Sequence, residues 1–241
     1  MYAARRGNGE VARLLLDRGA KPDVQSGVGA YTALEMAAGR GKADVVAALL
    51  AARADPNLTD VCGVTPLVRA AEAGYPDIVR TQLDGGASAG AKNKEGHTPL
   101  LLAAVRGDEA VIALLLDRGA GVDDPDEKGR TPLMAAASRG MTGAARLLLD
   151  RGATINASNN SGVTPLMYAA GNGATDVVRL LLDRNADWRA RSTEAKTARD
   201  YAVQEGGYQD VLKMLVFTER DATAAAPAAD TRPATQPRPA P

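Results

Sequence analysis

Apolar residues along this chain fall into pairs of short runs separated by polar stretches, and the pairs return at a fixed interval. The first run of a pair opens on Thr65-Pro66-Leu67, Thr98-Pro99-Leu100, Thr131-Pro132-Leu133 and Thr164-Pro165-Leu166, each 33 residues after the last, and the same step reaches Thr32 and Thr197. Ala-Ala at 37/38, 70/71, 103/104, 136/137 and 169/170 keeps the interval, as does Gly at 41, 74, 107, 140, 173 and 206. Each column predicts a piece of a helix. Thr caps the free N–H groups of a first turn, and Pro at the first helical position forfeits no hydrogen bond. Leu anchors the helix, paired alanines admit a close neighbour, and Gly stops it in the left-handed conformation. The result is a short helix A of about two turns.

The second run, such as Val177, Val178, Leu180, Leu181 and Leu182, predicts a helix B. It ends at Arg118-Gly119-Ala120 or Arg184-Asn185-Ala186. Between helix B and the next Thr, Gly63, Gly96, Gly129 and Gly162 stand two residues ahead of Thr and predict a tight hairpin turn.

Hairpin, short helix and return helix at a period of 33, with Thr-Pro-Leu and Ala-Ala, resemble the ankyrin repeat family and its Thr-Pro-Leu-His-x-Ala signature. The resemblance covers residues 1 to about 217. It implies an all-α solenoid of stacked helix pairs joined by hairpin loops, which binds a protein partner without catalysis. The family's His, which helps tie neighbouring loops, is replaced by Glu35, Val68, Leu101, Met134, Met167 and Asp200. Apolar packing is expected to substitute for it in four repeats.

The register divides the chain into a partial N-terminal repeat (1–28), five repeats (29–193), a C-terminal capping repeat (194–217) and a tail (218–241). Met1-Tyr2-Ala3-Ala4 matches Met167-Tyr168-Ala169-Ala170, so the chain opens in mid-repeat, as a fragment or a start assigned at an internal Met would. One residue is inserted before Thr32. In the last unit, Arg199, Asp200, Gln204 and Glu205 make helix A polar, as a terminal repeat facing water requires. The tail holds five Pro and eight Ala among 24 residues and is expected to be disordered.

Composition narrows the chemistry. With 29 basic and 29 acidic side chains, the chain has no excess charge for nucleic acid. No apolar run of membrane-spanning length is present, nor a signal-peptide core near Met1. As written, the chain is expected in the cytoplasm, with export left open by its start inside a repeat. The 22 Arg against seven Lys fit a GC-rich, bacterial genome. Cys62 and His97 are single residues of their kinds in successive hairpins, so neither a disulfide nor a catalytic pair is expected. Pro125 interrupts the acidic run Asp123, Asp124, Asp126 and Glu127, and the spacing of a calcium loop is missing. No metal, cofactor, small-molecule substrate or enzymatic activity is expected.

Two features are candidates for recognition. Arg40, Arg106 and Arg139, with Arg6 in the equivalent place, form a ladder eight residues after Thr; Ala73 and Asn172 interrupt it. The resemblance implies that this end of helix A faces a concave groove, where the ladder would attract acidic groups of a protein partner. The same arginines would also complement helix dipoles. The second feature is the hairpin-edge column of Tyr31, His97 and Arg130, varied where its neighbours are constant. Trp188 shares a column with Val122 and Ile155 and reads first as packing under a hairpin, second as an interface anchor. Arg18, Arg118, Arg151 and Arg184 lie in last turns, where cations complement the dipole. A regulatory or immunity-type inhibitor that blocks one partner enzyme is the alternative function.

Overall fold

The structure, a computed structural model, describes the backbone of residues 1–224 and side chains as far as Val216. Seven helix pairs follow one another among the described residues: α1 (Tyr2–Arg6) and α2 (Gly9–Asp17), α3 (Ala33–Ala38) and α4 (Ala43–Ala51), α5 (Pro66–Ala73) and α6 (Pro76–Asp84), α7 (Pro99–Arg106) and α8 (Glu109–Asp117), α9 (Pro132–Ser138) and α10 (Thr142–Asp150), α11 (Pro165–Gly171) and α12 (Thr175–Asp183), α13 (Ala198–Glu205) and α14 (Gln209–Ala224). From α3 onward the odd-numbered helices pack on one another more closely than the even-numbered ones do.

Capping follows the columns. In the five repeats and the capping repeat the Thr hydroxyl accepts the N–H three residues on, from Thr32 with Glu35 (3.0 Å) to Thr197 with Asp200 (3.4 Å). Gly41, Gly74, Gly107, Gly140 and Gly173 all have positive φ. The sixth member of that column departs from the expectation. Gly206 is extended (φ 174°), and Gly207 takes the left-handed conformation instead (φ 60°), so the last A–B turn is shifted by one residue.

Leu34, Leu67, Leu100, Leu133 and Leu166 are buried, as are the paired alanines beside them. The residues in place of the family's His do pack apolarly in four repeats: Val68, Leu101, Met134 and Met167 are all buried. The hairpins are tied by backbone instead. The N–H groups of Val61, Lys94, Glu127, Asn160 and Thr193 donate to the carbonyls of Gly29, Cys62, Glu95, Lys128 and Ser161 in the preceding hairpin, at 2.9–3.2 Å. Within each hairpin, Asp60, Asn93, Asp126 or Asn159 accepts two N–H groups through Oδ1 and fixes the turn.

The residue inserted before Thr32 lies in the first hairpin. Ser26 pairs with Tyr31 across five positions, where Asp60 pairs with Val64 across four. At the other end, α14 runs to Ala224, so residues 218–224, expected to be disordered, are helical. Their alanines favour a helix, and the tail has no Pro before Pro227. The rest of that expectation, residues 225–241, lies outside the described residues.

Candidate partner-binding surface

The ladder stands at the C-terminal ends of the A helices, and the hairpin edge stands one residue ahead of their Thr caps. Arg40 follows α3, Arg106 is the last residue of α7 and Arg139 caps α9; all three are exposed. Among the described residues none of their side chains makes an ion pair or hydrogen bond. Arg106 is distinct in its course: its guanidinium lies over Gly74 of the preceding repeat, where a Cβ would stand 2.7 Å from Nη2. Glycine is needed there both for its φ of 75° and for this close approach. Arg6, at the end of α1, instead donates to the Tyr2 hydroxyl (3.2 Å).

The hairpin-edge residues divide between two places. Tyr31 joins Arg40 around a cavity of about 390 Å³, lined also by Glu35, Met36, Gly39 and Arg69. His97 and Arg130 come together around the buried Asp126, with Arg130 Nε at 3.2 Å and His97 Nε2 at 3.9 Å from Asp126 Oδ2. They border a second cavity of about 770 Å³ along the hairpin tips, with Glu95, Lys128, Asn159 and Tyr168. Cys62 is exposed. Trp188 is half-buried against the core beneath its hairpin, with the Arg189 guanidinium 4.7 Å from its ring.

Sequence reasoning missed the cluster at the first of these cavities. Arg69 on α5 gives its Nε to Glu35 Oε1 (3.1 Å), its Nη2 to Asp60 Oδ2 (3.0 Å) and approaches Glu72 with Nη1 (3.5 Å). Glu35 and Asp60 are almost wholly buried. Burial pushes the Glu35 carboxyl up to about 7, with the neighbouring Asp60 charge adding to the rise and Arg69 opposing it. The legible signal was an acidic residue, Glu35, in a column that holds Val, Leu and Met in the next four repeats and turns acidic again only at Asp200 of the capping repeat.

The ends of the B helices carry a second missed pattern. Arg118, Arg151 and Arg184 pair with Asp84, Asp117 and Asp150 of the preceding repeat at 2.7–2.9 Å, so these C-terminal cations also join helices. The ladder of pairs stops at the N-terminal repeats, where Ala51 and Gly85 occupy its columns.

Among the described residues no helix is long and apolar enough to cross a membrane, and no group of three His, Cys, Asp or Glu is placed to hold a metal ion. A family model described as ankyrin repeats (3 copies) matches residues 1–87 and 67–159, and one described as ankyrin repeats (many copies) matches residues 148–202. Among solved structures, the chain is similar to the ankyrin repeat domain of Bcl-3, described as a unique member of the IkappaB protein family. The two are 29% identical, with a TM-score of 0.75 over 89% of this chain and 96% of that one. No curated protein matches.

Proposed function

Because the chain belongs to the ankyrin repeat family, whose fold is a protein-interaction scaffold and in general not a catalytic one, we propose that it binds a protein partner along its A-helix face and hairpin edge. Arg40, Arg106 and Arg139 attract an acidic surface of that partner, while Tyr31, His97 and Arg130 flank it. One contrast supports the reading. Arg118, Arg151 and Arg184 at the ends of three B helices are engaged by aspartates, whereas the exposed ladder arginines Arg40, Arg106 and Arg139 at the ends of the A helices have no ionic partner among the described residues. Unpaired cations along one face create a field that steers an acidic partner.

The test is a comparison of wild type with the variant Arg40→Gln, Arg106→Gln, Arg139→Gln. A crosslinked pull-down identifies the partner, and its affinity is then measured over a salt series. The reading predicts weaker binding and a flatter salt dependence, since such a field is screened over ~8–10 Å at physiological salt. Equal affinities at low salt would remove the ladder from the surface. If the captured partner is an enzyme that loses activity in the complex, the protein acts as an inhibitor; if its activity is kept, as a scaffold.

A further inference from the structure

We propose that the cavity at the first hairpin is a socket for one basic side chain, a lysine or arginine of the protein partner, with Glu35 as its acceptor and Tyr31 and Met36 as the walls for its alkyl stem. The proposal rests on the reading that the A-helix face binds a protein, and it adds an acceptor for positive charge to a surface otherwise rich in arginine.

The first observation is an orphaned oxygen. Glu35 Oε1 is held by Arg69, but Oε2 has no donor among the described residues although the side chain is only 2% exposed; the neighbouring Asp60 carboxylate can accept a proton from Glu35 and cannot give one. Buried carboxylate oxygens are nearly always paired, so an unpaired one asks for a donor. The second is the balance of charge. Glu35, Asp60 and Glu72 share Arg69, and Arg40 at the rim brings the second cation. With Glu35 ionised, three carboxylates against two guanidinium groups leave one negative charge, which a single lysine or arginine neutralises.

The third observation is the column. Val68, Leu101, Met134 and Met167 fill the same position with apolar side chains, so the fold does not require a carboxylate here. A buried acid that packing could replace is retained against stability, as functional groups are. The walls suit the stem of a basic residue. The Tyr31 ring, 37% exposed, lines the cavity and stands where any side chain on Gly29 would collide with it; an aromatic ring in such a wall attracts a cation. Met36, partly exposed, is the adaptable side that turns to admit the head group. With its carboxyl raised to about 7, Glu35 gives up its proton when a cation arrives.

The probes are n-butylammonium and ethylguanidinium, titrated into the full chain near pH 7 and followed by the amide signals of residues 35–40 and the carboxyl carbon of Glu35. Sodium chloride and neutral 1-butanol serve as controls. The socket predicts saturable shifts in the millimolar range with one or both cations, and a fall in the midpoint at which Glu35 titrates. Glu35→Gln abolishes both, Tyr31→Leu weakens binding ~3-fold, and Arg40→Gln tightens it by removing a like charge. Shifts that match those of sodium chloride or 1-butanol, or that persist in Glu35→Gln, overturn the proposal. Should Glu35→Gln fail to fold, the opposed effects of Tyr31→Leu and Arg40→Gln decide. Arg106 and Arg139 take no part, so a negative titration leaves the ladder standing; and since Arg40→Gln weakens an acidic partner but tightens a cationic probe, the two readings fail separately.

Discussion

Arg151 Nη1 meets Asp117 Oδ1 at 2.8 Å across 34 residues of sequence, joining the C-terminal ends of two successive B helices. The same pair recurs as Arg118 with Asp84 and Arg184 with Asp150. All six side chains are more than a third exposed, so water screens them and each pair contributes ~0–1 kcal/mol. Asp117→Asn is expected to lower stability by less than ~1 kcal/mol at low salt and by almost nothing at high salt. Urea unfolding at two salt concentrations measures both. A loss above ~2 kcal/mol would mean that the ladder acts as a coupled network.

Leu133 is fully buried on α9, which packs on α7 and α11. Leu133→Ala therefore leaves a cavity where three repeats meet and is expected to destabilise by ~2–5 kcal/mol in urea unfolding. The position cannot collapse cheaply, because its neighbours Leu100 and Leu166 are themselves held in the stack.

Gln82 occupies the column of Leu49, Leu115, Leu148 and Leu181 and is fully buried. Its Nε2 makes one long bond to the Pro66 carbonyl (3.4 Å), and its Oε1 has no partner among the described residues. An unsatisfied buried amide oxygen costs ~1–3 kcal/mol, so Gln82→Leu is expected to stabilise the protein by ~1 kcal/mol or more. For the same reason the amides of residues 76–84 should exchange faster than those of 110–116 in the wild type, and the substitution should slow them. Equal exchange in the two segments would remove this account of a soft repeat.

Stability should depend on pH through Glu35. Its folded-state pKa, about 7, lies above the ordinary 4.5, so between these values the folded protein holds a proton that the unfolded chain has lost. Stability from this group is therefore greatest below about pH 4.5 and falls as pH rises toward 7, by up to ~3 kcal/mol in total. Glu35→Gln is expected to flatten that slope, because its amide stays neutral while still able to meet Arg69. Unfolding midpoints from pH 5 to 8 for the two proteins make the comparison. A parallel pair of curves would place the titrating group elsewhere.

Much of the site was legible only as position. Arg40, Arg106 and Arg139 share a column and therefore a place on the A helices, and the structure does leave all three exposed. Yet Arg106 lies back over Gly74 while Arg40 borders a cavity, a difference that depends on which side chain stands one repeat away. Tyr31, His97 and Arg130 share another column but not one site: His97 and Arg130 meet around the buried Asp126, while Tyr31 borders the cavity beside Arg40 at the first hairpin.

The repeat itself could be read from the residues in order: its register, its Thr caps, its left-handed glycines and its Leu and Ala core. Each of these is settled within a stretch of about 33 residues by local hydrogen bonding, backbone sterics and burial, and repetition makes the columns visible. The left-handed turn even survives where glycine is absent, at Ala30 (φ 54°) and Ala195 (φ 57°), two residues ahead of Thr32 and Thr197. Only the tertiary structure decided which polar groups meet between repeats: Glu35 with Arg69, Arg151 with Asp117, the Oε1 of Gln82 with nothing among the described residues. Such pairings turn on ångström-scale distances between side chains of neighbouring repeats. Columns one period apart place those residues in the same neighbourhood, but the contact itself depends on rotamers and burial that only the stacked repeats impose.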